Sequence, residues 1–373
     1  MYLALRRLAA ARGLIILLAV VSAAALGAFF YVETLASSLR HTTIEKAYMA
    51  TGSDAQVIVG ESQPIPRRFP YAVTRVQFAN QAASLVDGTS VDVMLVDPAS
   101  LAGALHWQGD WGPSPARFLE ELARAPSQPL PVIVTEDLAG THAIVIASRR
   151  FPLRTLGVVH AFPTMAQGIP LVITSYRALH DLEQRTQLFG SLGVLWTYVW
   201  GKGPPARVGR ALASLEPTYP PSTIDTYLRA PDVVLATRTF AFMRMIAIGV
   251  GVLALLGLLL YLQARQRSQA IASALARRMG FGRAAETISL CLELAGILVF
   301  AAVLGGGVAI AAAGPVVRRI DPLPRDPPSP IVTVPGGELA LAAIALAVIA
   351  IVAGVLTSWF ARRTDVSEAL RVA

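Results

Sequence analysis

Four long apolar stretches constrain this chain more than any other feature of its sequence. A helix needs about 20 mostly apolar residues to cross the hydrocarbon core of a bilayer, because each residue adds about 1.5 Å. Four stretches reach this length: Gly13–Tyr31, Met245–Leu262, Ile288–Ala313 and Leu339–Phe360. The segment between Val32 and Arg244 contains no comparable stretch. The sequence therefore predicts an α-helical integral membrane protein with four transmembrane helices.

The distribution of charge predicts the orientation of these helices. The chain has 373 residues, with 32 Lys and Arg against 24 Asp and Glu, and its formal net charge is +8. The whole excess lies in 1–12, 264–287 and 361–373, which flank the predicted spans on one side. Because short cytoplasmic loops are enriched in Lys and Arg, we expect both termini in the cytoplasm. The excess charge then gives no support to nucleic-acid binding.

This topology divides the chain into nine segments. Transmembrane helices are predicted at 13–35, 241–263, 288–313 and 338–360, an extracytoplasmic domain at 36–240, an extracytoplasmic loop at 314–337, and cytoplasmic segments at 1–12, 264–287 and 361–373. A cleaved signal peptide is the alternative for the first span. Its apolar run of 19 residues exceeds the usual 7–15 of a signal sequence, so we expect a retained helix.

The large extracytoplasmic segment is predicted to be a mixed α/β domain. Runs rich in β-branched residues predict strands at Gln56–Val59, Val91–Val96, Val132–Thr135, Ala143–Ala147, Gly157–His160, Leu171–Thr174 and Val194–Val199. In the last run, Trp196, Tyr198 and Trp200 share one face. One helix is predicted after Ser114-Pro115, with Ser114 as its N-cap and Pro115 in its first turn, and two more are predicted at Tyr176–Phe189 and Pro205–Leu215.

The domain contains no recognisable catalytic or metal-binding motif. The five histidines are scattered without a metal-ligand spacing, and we expect them to be solvated or hydrogen-bonded: His41, His106, His142, His160 and His180. The single cysteine, Cys291, excludes an internal disulfide framework. A membrane-bound hydrolase, a metal site and a directly bound cofactor are therefore not expected.

Three acidic residues of the domain have less specific interpretations. Asp92 and Asp97 bracket a predicted strand and are expected at a turn or an edge. Asp110 lies between Trp107 and Trp111 in a Gly-containing stretch. We expect a packed loop there, with an aromatic contact surface as the alternative.

Small residues recur at every fourth position along three of the predicted spans. The series are Ala19, Ala23 and Gly27; Ala301, Gly305, Ala309 and Ala313; and Ala350, Gly354 and Ser358. Such series let helices approach closely in lipid, with apolar filler as the alternative. Glu293 is the one charged residue inside the four apolar stretches. We expect a structural or interfacial role for it, because a proton relay would need further acidic or His residues there.

The basic segment between the second and third spans has helical apolar spacing. Ile271, Leu275 and Met279 follow one another at intervals of four residues. This predicts an amphipathic helix along the cytoplasmic membrane surface, continuous with the second span. It serves either as an interfacial anchor or as a docking surface for a cytoplasmic partner.

Several motifs in this order resemble those of the FtsX-like permeases, which include the MacB-type transporter subunits. The segment Arg278-Met279-Gly280-Phe281-Gly282-Arg283 resembles the family's turn before the third span. Leu292-Glu293-Leu294 and Gly305-Gly306-Gly307 resemble that span's acidic start and glycine-rich middle, and the tail Asp365–Arg371 resembles the family's ending. The sequence departs from the family at Arg267–Ala272, which has no carboxylate, and at Val366, which replaces a proline.

The resemblance implies the permease subunit of an ABC transporter that couples ATP hydrolysis to movement of its extracytoplasmic domain. It implies a separate cytoplasmic ATPase that binds ATP with Mg, since the chain has no G-x-x-x-x-G-K-[ST] motif. The implied coupling residues are Arg277, Arg278, Met279, Gly280, Phe281, Gly282 and Arg283 in the loop, with Asp365, Glu368, Leu370 and Arg371 in the tail.

The resemblance also implies a homodimer or a heterodimer with a second permease in a bacterial cytoplasmic membrane. The expected task is export or extraction of a lipophilic substrate, or control of an extracytoplasmic partner. The alternative is a membrane-anchored extracytoplasmic sensor or binding protein that has no ATPase partner.

Overall fold

Long helices at both ends of the chain flank a mixed sheet domain. The computed structural model describes residues 12–363 except 62, 67, 166–167, 187–189, 191, 279–282 and 322–328. The described residues form two units. The helical unit contains those up to Arg40, Leu235–Asp321 and those from Pro330 onward, and the sheet domain is built on His41–Val234.

Nine α-helices and nine strands are present in the described part of the chain. The helices are α1 Arg12–Thr51, α2 Pro98–Ala104, α3 Ala116–Arg124, α4 Tyr176–Thr186, α5 Pro205–Ala213, α6 Ile224–Leu228, α7 Pro231–Arg278, α8 Arg283–Val317 and α9 Gly336–Arg363. The strands are β1 Ala55–Val59, β2 Ala72–Ser84, β3 Ser90–Val96, β4 Leu130–Thr135, β5 Ala143–Ile146, β6 Arg149–Val159, β7 Leu171–Ser175, β8 Trp196–Lys202 and β9 Ser222–Thr223.

Three helices of the described chain are long and apolar enough to cross a membrane. They lie at Ala19–Thr51, Pro231–Gly257 and Cys291–Val317 and correspond to the first three predicted spans. A shorter apolar stretch, Gly336–Ile349, lies at the position of the fourth. The protein is thus a membrane protein with an α/β domain, and its fourth span stays a prediction.

The nine strands form one mixed sheet that closes partly on itself. Hydrogen-bonded neighbours follow the order β3-β7-β4-β6-β5-β2-β8-β1-β9, and β3 also pairs with β2. The first six strands of this order therefore complete a ring. Within it β3–β7 and β4–β6 are parallel, and the other pairs are antiparallel. Every residue of β4 is buried, as expected of a strand covered on both faces.

The predicted strands are all present, but the longest strand was not predicted. β2 has thirteen residues and contains a register shift between Ala79 and Ala83. This bulge and the Asn-Gln-Ala-Ala run interrupt the alternation that marks a strand. β6 begins eight residues before the predicted Gly157, at Arg149. In β8, Tyr198 and Trp200 pack on one core cluster, whereas Trp196 is exposed.

The helices of the sheet domain begin near the predicted positions. α3 starts at Ala116, with Pro115 at its N-cap and without a side-chain cap, so the predicted capping by Ser114 is wrong. Its Leu119 and Leu122 are buried, whereas Glu120 and Glu121 face outward. α4 and α5 correspond to the other two predicted helices, and residues 187–189 of the former lie outside the described residues.

Candidate functional site

The predicted ATPase-coupling loop lies at the junction of two long helices. α7 ends at Arg278, and α8 begins at Arg283. The basic segment up to Arg278 is therefore helical and continuous with the second span. Residues 279–282 lie outside the described residues, as do the predicted tail residues Asp365, Glu368, Leu370 and Arg371.

Two of the predicted small-residue series pack against each other inside the helical unit. A Cβ atom added at Gly305 of α8 would lie 2.3 Å from the Ala23 carbonyl oxygen and 2.8 Å from the Gly27 nitrogen of α1. A Cβ atom at Gly27 would lie 3.2 Å from the Gly305 Cα. The backbones of α1 and α8 thus approach closely because both positions lack a side chain.

An open apolar groove follows this contact. It has a volume of about 460 Å³ and is lined by residues of both helices, among them Ala24, Ala28 and Tyr31 of α1 and Leu304 and Val308 of α8. On the same helix, Glu293 is only 4% exposed. It is buried at its predicted place in the third span, and its role stays a prediction.

Polar contacts connect α1 to two other parts of the helical unit. The Arg244 Nε of α7 lies 2.7 Å from the Oε1 of Glu33, whose side chain is 7% exposed. The Thr333 N–H, which precedes α9, donates to the Ser38 hydroxyl at 2.9 Å, and that hydroxyl donates to the Thr34 carbonyl. α1 therefore contacts α7, α8 and the segment before α9.

The end of α1 within the sheet domain carries a cluster that the sequence did not predict. His41 Nε2 lies 2.9 Å from Glu45 Oε1 and 3.5 Å from Asp110 Oδ2. His41 and Glu45 are neighbours because residues four apart share a helix face. That spacing is visible in the sequence, whereas the approach of Asp110 depends on tertiary structure.

The loop that carries Asp110 is packed, as expected. Trp111 is fully buried among Met49 and Ala161, and the Trp107 ring lies edge-on to it, 5.5 Å away between centroids. The Trp107 indole N–H donates to the Gly112 carbonyl at 3.3 Å. These tryptophans therefore hold the loop, and Trp111 forms no exposed contact surface.

Three other histidines form local hydrogen bonds or stacking contacts. His106 stacks on Tyr48 with 3.5 Å between ring centroids. Burial lowers the pKa of His106; to smaller extents, the Asp54 charge raises this pKa and the Lys202 charge lowers it. His160 Nδ1 lies 2.5 Å from Glu136 Oε1, and His180 contacts Gln184. These observations agree with the structural role expected of them.

The interpretation of Asp92 as an edge residue is wrong. Asp92 lies inside β3, where it is 1% exposed and pairs with Leu171 of β7. Its Oδ1 accepts a 2.7 Å hydrogen bond from the Gln81 N–H, at the bulge of β2. Burial raises the pKa of Asp92, and this hydrogen bond partly lowers it. Asp97, in contrast, caps α2 and accepts from the Ser100 N–H.

Comparison of the chain with protein-family models and with curated proteins finds no match.

Proposed function

We propose that this protein is the permease subunit of an ABC transporter of the FtsX/MacB mechanotransmission type. A separate cytoplasmic ATPase binds ATP with Mg, and its cycle moves the extracytoplasmic domain of the permease. The chain lies in a bacterial cytoplasmic membrane with both termini inside and works as a homodimer or with a second permease. The movement exports or extracts a lipophilic substrate, or controls an extracytoplasmic partner.

The observation that supports this proposal best is the continuity of α7. The helix has 48 residues from Pro231 to Arg278, which corresponds to about 72 Å at 1.5 Å per residue. The hydrocarbon core needs only about 30 Å of that length. Its one proline is at the first position, so no proline kink is expected within the helix. A displacement at the Arg278 end would therefore move the whole helix.

The contacts of α1 offer a way to share such a displacement. Arg244 of α7 is held to Glu33 of α1 by the ion pair at 2.7 Å. Gly27 of α1 is in turn packed on Gly305 of α8. Because these contacts are short and one partner of each is buried, the helices would move together and not slide independently.

Affinity purification from native membranes tests this proposal. We expect the tagged chain, extracted in mild detergent, to carry a stoichiometric ABC ATPase identified by mass spectrometry. Replacing Arg278 and Phe281 by Ala should reduce the ATPase recovered at least about tenfold, since these residues resemble the family's docking turn. Arg265→Ala, which removes a charge from the same loop outside that turn, is the matched control.

Two outcomes would contradict the proposal. Unchanged recovery of the ATPase with the Arg278 and Phe281 variant would contradict the docking assignment. A folded chain that is purified without any ATPase would favour the membrane-anchored sensor or binding protein, and the basic segment would then be a membrane anchor.

A further inference from the structure

Three potential metal ligands lie close together at the C-terminal part of α1, which is part of the sheet domain. One atom of each side chain, the His41 Nε2 and one carboxylate oxygen each of Glu45 and Asp110, lies within 4.8 Å of the other two. Two ligands about 2.0–2.2 Å from a tetrahedral zinc ion lie about 3.4 Å apart. The distances from His41 Nε2, 2.9 Å to Glu45 and 3.5 Å to Asp110, bracket this value.

Glu45 supplies the second, independent observation. Its side chain is only 1% exposed, and neither carboxylate oxygen accepts a hydrogen bond of good geometry from the described residues. The His41 Nε2 lies 2.9 Å from Oε1, but a buried carboxylate with so few partners is unfavourable unless a proton or a cation neutralises it. The Asp110 carboxylate faces it and increases that cost, because the two charges have the same sign. A cation held by the three side chains would neutralise the buried oxygens from the side where His41 and Asp110 meet.

The position of Asp110 is fixed by its neighbours. The adjacent Trp111 is fully buried, and its backbone N–H donates to the Gln108 carbonyl at 3.1 Å. The His106 N–H donates to the Gly52 carbonyl at 3.2 Å, just after the end of α1. Two ligands on one helix and a third on a loop fastened to the end of that helix form a preorganised site.

We propose that His41, Glu45 and Asp110 bind a divalent transition-metal ion of the zinc type. One imidazole and two carboxylates suit Zn²⁺, whereas Mg²⁺ and Ca²⁺ prefer oxygen ligands alone. The side chains of His41 and Asp110 are 38% and 51% exposed, which leaves a path for the ion and room for water ligands. The ion would fasten the Asp110 loop to α1. This site departs from the expectation that no metal binds, and it does not depend on the proposed function.

Isothermal titration of Zn²⁺ into the full-length protein in detergent tests the site. The chain is purified with a tag that contains no histidines and is treated with a chelator first. We expect one ion per chain, with affinity at least about tenfold lower in His41→Gln and in Asp110→Asn. His160→Gln is the matched control, because His160 has a carboxylate 2.5 Å away but belongs to a pair. It should bind Zn²⁺ like the wild type.

Thermal unfolding gives a second readout that does not depend on the heat of binding. Zn²⁺ should raise the melting temperature of the wild type and of His160→Gln but not of His41→Gln, because a ligand that binds only the folded state stabilises it. No Zn²⁺ binding, equal binding by His41→Gln, or equal affinity for Mg²⁺ would overturn the proposal. The first two results would mean that the three side chains form a polar contact without a metal ion.

Discussion

Large aliphatic residues are buried in the sheet domain but exposed on the long helices of the helical unit. In the sheet domain, large aliphatic residues such as Leu101, Ile133 and Ile144 are 0% exposed. On the long helices, Leu253, Val303 and Leu341 are 68%, 71% and 70% exposed. A water-soluble surface does not expose apolar residues in such numbers, and a lipid-facing one does. The surrounding medium, water or lipid, therefore decides whether an apolar residue is buried or exposed.

The two regions also differ in what holds them together. The sheet domain has aliphatic and aromatic core clusters on its strands and helices, and their burial removes apolar area from water. Lipid provides no such driving force between helices, so close packing and polar contacts remain. The Gly27–Gly305 approach and the Glu33–Arg244 ion pair are contacts of that kind.

The largest expected effect separates a buried leucine from a lipid-facing one. Leu101→Ala should lower the free energy of unfolding by about 2–5 kcal/mol, because it removes fully buried atoms and leaves a cavity. Leu253→Ala should change it little, since its side chain is mostly exposed to lipid. Thermal unfolding of both full-length variants in detergent measures the difference. Equal destabilisation would indicate that a partner buries the Leu253 face.

A glycine pair on α8 sharpens the comparison of packing. Gly305→Ala should destabilise the helical unit by about 1–3 kcal/mol, because its Cβ would meet immobile backbone of α1. Gly307→Ala is the matched control on the same helix, since no atom lies within 4 Å of its Cβ position. SDS-induced unfolding in mixed micelles measures both. A Gly305→Ala variant as stable as Gly307→Ala would contradict the close approach of the two helices.

In the sheet domain, Gly157→Ala offers a milder counterpart. Its Cβ would meet the Phe118 ring at 2.4 Å, and that obstacle is a side chain and not backbone. Because a side chain can change its χ1 rotamer whereas helix backbone cannot move aside in this way, we expect a smaller loss than at Gly305. A larger loss would indicate that the core around α3 is the more rigid of the two contacts.

The smallest expected effect is that of Asp92→Asn, which replaces the buried carboxyl group by an amide. Asp92→Ala should cost about 1–3 kcal/mol, because the Gln81 N–H loses its acceptor. Asp92→Asn keeps the acceptor and should cost much less. Burial raises the pKa of the folded Asp92 above its ordinary value of 3.8, so the folded protein binds that proton more tightly. This contribution to stability is therefore greatest at low pH and falls as the pH rises through the folded pKa.

Chemical unfolding at several acidic pH values measures this contribution through the tryptophan fluorescence of the sheet domain, which contains four of the five tryptophans. The wild type should lose stability relative to Asp92→Asn as the pH rises above 3.8. A constant difference between the two proteins would mean that the pKa of Asp92 is not raised.

The sequence predicted those helices and strands whose periodicity or composition is regular within the element itself. The periodicity of α3 and the β-branched runs of β4 and β7 were sufficient to place them within a few residues. β2 was missed because its bulge breaks the alternation and its second half is rich in Ala, Asn and Gln. β2 pairs with β3, β5 and β8, and these partners determine its position in the sheet. The residues of β2 alone do not indicate that pairing.

The candidate sites also combine features that are visible in the sequence with contacts that depend on tertiary structure. The small-residue series of the first and third spans were visible in the sequence, and the structure brings Gly27 and Gly305 together. The interval between His41 and Glu45 was equally visible, but Asp110 belongs to a distant loop. Only packing of Trp111 against the end of α1 moves that carboxylate beside Glu45.

By itself, the sequence determined that this is a membrane protein with a large α/β domain. Length and hydropathy are sums over adjacent residues, and the medium acts on each of them directly. The tertiary structure alone decided the ring of strands, the burial of Asp92, the contact of α1 with α8 and the His41–Glu45–Asp110 cluster. Each of these depends on residues that are far apart in the chain, and their approach is set by the packing of everything between them.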